Sequence, residues 1–398
     1  SDTLLGGLFP PTEPGTVFSS RSRLLDWTPP AEYRADDGAR YLGQSTDGRR
    51  LTLSYGLPLV TYGAPPAFLA GQVLQDLANG RAAIVVSPHR GLLEHIALEA
   101  EGSSVQWLDP QNPWRSAHLA VVAPEEWAEH DDDVVVDAIQ GFFAGAGVDT
   151  HLPGIGDFTR RLARVLVSAA RQRGRDLAFT DLYSIAGGTQ TLRAALTDLQ
   201  ETCSDAAELL THLDGDAGYV QAVTVLSTIR TALRPLGNAS FQTFCRAPFL
   251  NLSRALHEPG LILVPMSDAD FPENDRLLGA MLGLSLTRIL AARDDRRIAL
   301  HLHEPDLYQA GVQRWIEAAR RDPRLTLLLD GQGVTKGLWL EQDMDAGETL
   351  FRCPEELARD LIAAWRLPAS PAELAELPAG TAIARLPGMV VALKVSDR

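Results

Sequence analysis

The sequence predicts an α/β protein built on a mainly parallel sheet and interrupted by an all-helical insertion. Three observations carry this. Short apolar runs alternate with amphipathic helices from Leu59 to Pro110, only helical periodicity is present from Asp137 to Glu258, and strand–helix alternation resumes from Gly260 to Gln332.

Residues 1–40, with "FPPTEPG" and "DWTPPAEYRADDGAR", are rich in Pro, Gly and charge and read as an extended arm laid over a domain. Residues 41–136 form the first part of the α/β unit. "RRLTLSYG" and "LPLVTYG" read as strands, and "PAFLAGQVLQDLANG" spaces Phe68, Leu69, Val73, Leu74 and Leu77 as one helix closed by Asn79-Gly80. "AAIVVSP" has the unbroken apolar character of a strand covered on both sides, followed by the helix "HRGLLEHIALEAEG" and the strand "SSVQWLDP".

Residues 137–258 read as helices only. "DFTRRLARVLVSAARQRG" carries Phe158, Leu162, Val165, Leu166 and Ala169 on one face and stops at Gly174, and several later helices also end in glycine. Residues 259–398 return to the sheet with "GLILVPMS", "RRIALHLHE" and "LTLLLDGQ" separated by helices. They end in "ETLFRCP", the helix "PEELARDLIAAWRLP" and a terminal strand pair in "AIARLPGMVVALKV".

Composition narrows the function. The chain has 398 residues, 45% of them hydrophobic, so it can bury a sizeable core. Cys203, Cys245 and Cys353 lie far apart with no CxxC pair, which fits a reducing, cytoplasmic compartment better than a disulfide or zinc framework. Apolar runs such as Leu261–Met266 fall far short of the ~20 residues that cross a bilayer, and the N-terminus lacks the basic and apolar segments of a signal peptide. No membrane span is expected, and attachment at the inner face of a membrane would come through a partner or an upstream segment.

A net charge of -15 excludes a basic surface over the whole molecule but leaves room for a local one. Of 36 basic residues, only Lys336 and Lys394 are lysine, so no lysine lies near the glycine turn at Gly63. G-x-S-x-G and G-x-G-x-x-G are absent, and no cysteine has an adjacent histidine to activate it.

The succession "YLGQSTDGRRLTLSYGLPLVTYG", a helix ending "LQDLANG", "AAIVVSPHRGLLEHI", "VQWLDPQNP", a helical insertion, "GLILVPMS", "RRIALHLHEPD" and "AARRDPRLTLLLDGQ" carries a resemblance. From about Tyr41 to Gly388 the chain resembles the conjugative type IV coupling proteins, the TraG/TraD-type DNA-translocating ATPases related to FtsK and HerA. The resemblance implies a RecA-like, P-loop NTPase-type fold with an inserted all-α domain.

It also implies a nucleotide site, and the residues at that site depart from the family pattern. Gly63 is kept, but Phe68, Leu69 and Ala70 follow where a lysine and a hydroxyl are required, and the distance from Gly63 to Asp76 is a few residues shorter than the family pattern. Ser87 stands where the family has Asp, and His303 occupies the position of the magnesium-ordering Asp. Glu304 matches the water-activating carboxylate and Gln332 the γ-phosphate sensor. Read without the family, Glu304 could cap the helix begun by Pro305, and Gln332 could satisfy strand-end backbone groups.

Two further groups stand out. His301 and His303 are two apart on a strand and share a face, so a metal site would need His89 from a neighbouring strand as third ligand; buried histidines are the default expectation, with no metal. Arg160, Arg161, Arg164, Arg171, Arg173 and Arg175 make one helix basic, either a solvated face or a surface for DNA or a partner protein.

The expectation is a catalytically degenerate relative of the coupling motors, with no cofactor. It would serve as scaffold, adaptor or regulatory subunit of a DNA-transfer or secretion assembly, paired with an active paralogous ATPase or with itself in a ring or stack. Nucleic acid is a second class of partner. The alternatives are a residual NTPase using Glu304 with Arg293 or a partner's arginine in place of lysine, and a DNA-binding module without catalysis.

Overall fold

The computed structural model describes residues 38–45, 50–100, 102–152, 154–256, 259–266, 272–291, 295–305, 315, 318–319, 321–331, 347–365, 369–377, 381–386 and 389–394. The arm expected over residues 1–40 therefore lies outside the described residues up to residue 37.

The first strands are β1 (Ala39–Ser45), β2 (Arg50–Ser54) and β3 (Leu59–Tyr62), followed by helix α1 (Pro66–Ala78). Next come β4 (Ala82–Ser87), α2 (Arg90–Glu99) and β5 (Ser104–Trp107). A helical stretch follows: α3 (Asp132–Ala146), α4 (Ile155–Gln172), α5 (Phe179–Ile185), α6 (Thr189–Thr197), α7 (Ser204–Asp214), α8 (Asp216–Ala232), α9 (Ala239–Phe244) and α10 (Leu252–Ala255). The sheet resumes with β6 (Gly260–Pro265), α11 (Pro272–Ala291), β7 (Ile298–His303), β8 (Leu325–Gly331) and β9 (Gly347–Leu350). The chain ends in α12 (Glu355–Trp365), α13 (Pro371–Ala375), β10 (Thr381–Leu386) and β11 (Met389–Lys394).

The eleven strands among the described residues join one sheet in the order β2-β1-β11-β10-β9-β3-β8-β7-β4-β6-β5. From β9 to β5 every pairing is parallel, and from β9 outward through β10, β11, β1 and β2 every pairing is antiparallel. The parallel strands need helical crossovers, which is why their sequences are apolar throughout: β4, β6, β7 and β8 are buried at every residue.

Side-chain alternation splits the core in two. Val60, Tyr62, Ile84, Val86, Leu300, Leu302, Leu327 and Leu329 face α11 and the helical stretch. Leu59, Val85, Leu263 and Leu328 face α1 and α2. The helical stretch opens at Asp132, ahead of the expected residue 137, because Asp132 and Asp133 fill the first turn of α3, where the helix dipole favours carboxylates. Gly147, with φ +105°, ends it. α3 packs along α11 and α4, so the insertion shares its core with the sheet. The three cysteines are buried and free.

Candidate functional site

Strands β3, β8, β7 and β4 are consecutive neighbours and parallel, so the residues after their carboxyl ends converge on one edge. In open α/β sheets that edge is where ligands bind. It collects Gly63, Ser87 with His89, Glu304, and Asp330 with Gly331.

The turn after β3 is short. Only Gly63, Ala64 and Pro65 separate Tyr62 from Pro66, the first residue of α1. Gly63 has φ +67°, and a Cβ added there would lie 2.5 Å from the Arg352 carbonyl oxygen, so only glycine fits. The amides of the turn are engaged within the fold. Gly63 N–H donates to the Gly331 carbonyl (3.3 Å), and Phe68 and Leu69 N–H both donate to the Pro65 carbonyl (2.9 and 3.2 Å). Ala64 N–H donates to Asp330 Oδ1 (3.3 Å). Pro65 and Pro66 have no N–H to give. Phe68, Leu69 and Ala70 are buried, and the Phe68 ring packs against Phe351 with centroids 5.1 Å apart.

At the end of β7, His301 and His303 share the face covered by α1, and both are fully buried. His301 Nε2 lies 2.7 Å from Asp76 Oδ2 on α1, and the same oxygen accepts from Arg40 Nη2 of β1 at 2.8 Å. Burial alone would raise the Asp76 carboxyl, but Arg40 and His301 together hold it below the usual carboxylate range. Burial first, then the neighbouring His301 and His89, keep His303 well below the usual histidine range and hence neutral.

The next residue, Glu304, has φ +50°, a left-handed backbone that non-glycine residues seldom adopt. Its N–H donates to the Asp330 carbonyl (2.7 Å) and its Oε1 lies 2.7 Å from His89 Nε2. His89, at the start of α2, is anchored by its own N–H donating to Ser87 Oγ (3.1 Å). The histidine expected as a third metal ligand is thus the partner of Glu304. Among the described residues no group of three or more His, Cys, Asp or Glu side chains is placed to hold a metal ion.

At the end of β8 is a residue that the sequence reading passed over. Asp330 is buried, its Oδ1 accepts from Thr61 Oγ1 (2.6 Å), and its Oδ2 is buried with no hydrogen-bond partner. Burial, reinforced by the Glu304 charge, pushes its carboxyl up to about 7 against the hydrogen bonds from Thr61 and Ala64. The signal that could have found it is parity. Thr61, His301, His303 and Asp330 are polar residues on one face of three adjacent apolar strands. Gln332 and Arg293 lie outside the described residues.

Among the described residues, two arginines close to this edge in sequence are committed elsewhere. Arg90, beside His89, donates to Asp109 (3.0 Å), and Arg352, beside Phe351, donates to the Ala375 carbonyl (2.9 Å). The arginines of α4 face carboxylates of neighbouring helices: Arg160 pairs with Asp137 (2.8 Å), Arg161 with Glu208 (2.7 Å), Arg164 with Asp205 (3.6 Å) and Arg171 with Asp132. Arg173, next to the end of α4, is exposed. These pairs weaken the positive field that a phosphate backbone would meet.

No protein-family model and no curated protein matches the sequence. Solved structures do match. The unbound bacterial conjugative coupling protein TrwBdeltaN70 superposes with a TM-score of 0.60 at 14% identity, over 90% of this chain and 89% of that one. TrwB with a non-hydrolysable ATP analogue gives 0.60 at 15% identity over 86% of each chain. VirB4 of Thermoanaerobacter pseudethanolicus gives 0.53 at 13% identity, over 91% of this chain and 98% of that one. At these identities the likeness is one of fold: the chain has the RecA-like, P-loop NTPase-type fold of these proteins.

Proposed function

We propose that this chain, folded like the coupling protein TrwB, is a subunit of a conjugation or type IV secretion assembly that does not hydrolyse nucleotide. It acts as scaffold, adaptor or regulator, with protein partners that include an active ATPase of the same fold or further copies of itself.

The observation that carries the reading is the turn between β3 and α1. Phosphoryl transfer is catalysed by holding positive charge and magnesium against the triphosphate, with little covalent chemistry by the protein. A working phosphate loop offers several free amides, a lysine and a hydroxyl. Here the turn has three residues, its amides bond within the fold, two prolines follow one another, and the Phe68–Phe351 pair packs at its helical end. Neutral, buried His303 replaces the carboxylate oxygen that hydrated magnesium prefers. Structures of TrwB, by contrast, hold ADP with Mg2+, an ATP analogue and a GTP analogue.

Isothermal calorimetry with Mg-ATP tests the reading. The expected result is no saturable heat into the millimolar range. Micromolar, magnesium-dependent binding would overturn it in favour of a residual NTPase. One observation leans toward that alternative: Glu304 keeps a left-handed backbone and a His89 partner, the arrangement of a positioned general base. If nucleotide binds, loss of phosphate release in Glu304→Gln would assign that role. A DNA-binding module without catalysis would instead show salt-sensitive DNA affinity that falls when Arg160, Arg161 and Arg164 are neutralised.

A further inference from the structure

Among the described residues the large apolar side chains that stand exposed are Leu98, Trp114, Leu152, Tyr219, Val220 and Val223, and three of these belong to α8. α8 buries Gly218, Ala222, Val225, Leu226 and Ile229 against the rest of the helical stretch. Its opposite face is led by Val220, 64% exposed, and Val223, 44% exposed.

That outer face has a pattern. Asp216, Val220, Val223, Ser227 and Arg230 are all exposed and follow one another at spacings of four, three, four and three, the average of 3.5 that marks a two-helix seam. The ends carry opposite charges at equal distances from Val223. A two-fold axis through Val223 sets Val223 against Val223 of a second copy, Val220 beside Ser227, and Asp216 against Arg230 at both ends. A parallel arrangement would set like charges together, at a cost. The pattern is therefore self-complementary in the antiparallel sense only, as an isologous contact requires.

Neighbouring groups leave the seam clear. Asp214 is paired with Arg193 (2.6 Å) and Arg234 with Glu273 (2.5 Å). The Arg230 guanidinium is steadied by donating to the Gly187 carbonyl (3.1 Å), and Gln221 is held beside the seam by His212 (2.8 Å). Tyr219 flanks the stripe, with its hydroxyl held by Thr189 (3.3 Å).

We propose that α8 is a self-association surface: two copies of the chain pair through antiparallel α8 helices, closed at each end by an Asp216–Arg230 bridge. The contact is independent of the nucleotide reading. At 17 residues α8 is ~25 Å long. A single helix of that length covers less than the ~800 Å² per partner of a standard interface, so the pair is reversible rather than obligate.

Sedimentation velocity of the full chain over a rising concentration series is the test. Expected is a monomer–dimer equilibrium that Asp216→Arg or Arg230→Asp alone weakens about tenfold or more, since each single reversal places like charges at both ends. The double variant Asp216→Arg with Arg230→Asp should associate like the parent. Val223→Ser, which leaves the charges and the buried face untouched, should also weaken the dimer while its circular dichroism is unchanged. A chain that stays monomeric throughout, an association indifferent to these substitutions, or single reversals that the double variant does not rescue would each overturn the proposal.

Discussion

At the level of single residues, Asp330 departs furthest from ordinary behaviour. Its carboxyl titrates near 7 in the folded chain against 3.8 when exposed, so the fold favours the protonated acid. A carboxyl raised by folding contributes stability that is complete below about pH 4 and is lost as the pH climbs through about 7. Denaturant unfolding of Asp330→Asn at several pH values checks this. Between pH 4 and 8 the parent should lose on the order of 2 to 4 kcal/mol more stability than the variant. The paired histidines of β7 were legible from their spacing, because residues two apart on a strand share a face. That His301 would meet Asp76, and the adjacent Glu304 would meet His89, was not legible, because Asp76 and His89 come from other elements and no local pattern announces the meeting.

Helix α1 shows how far an element can be read from its own sequence. Its apolar spacing at Phe68, Leu69, Val73 and Leu77 gave its extent, and the fold places a helix there. The same helix also buries Gln72, Gln75 and Asp76, with buried Asn79 at its C-terminal cap, a polar stripe that an isolated reading would assign to solvent. That stripe meets residues from distant segments. Arg40 and His301 reach Asp76, Gln72 donates to the Tyr41 carbonyl (3.1 Å), and Asn79 donates to the Tyr55 hydroxyl (2.7 Å). Arg81 lies over the Tyr55 ring at 4.0 Å. Arg40→Met removes one partner of a buried ion pair and should cost ~3–5 kcal/mol in urea unfolding. Adding Asp76→Leu should recover part of that loss, because the second change removes the stranded charge. Strand β1 tells the same story. Besides β2 its neighbour is β11, with Gln44 beside Lys394, a pairing that no stretch of local sequence encodes.

Taken whole, the molecule has a helical insertion that is an interruption in sequence but not in packing. Phe142 and Phe143 of α3 and Phe179 of α5 belong to the same apolar cluster as Ile84 and Leu327 of the sheet. Sheet and insertion should therefore unfold together. Far-UV circular dichroism and tryptophan fluorescence should give coincident transitions, and Phe142→Ala should shift both by ~3–5 kcal/mol. Two separated transitions would show that the insertion holds itself up. The alternation of strands and helices was readable because each element has its own period. The join between insertion and sheet was not, since it depends on which faces meet. Finally, the close approach of Gly63 to the Arg352 carbonyl sets a rule for anyone who would redesign this protein as a motor. Grafting a lysine onto position 69 or 70 adds a charge to a sealed interior. The backbone itself must first be lengthened, freed of its prolines and lifted off its neighbour, so no path of single replacements leads there.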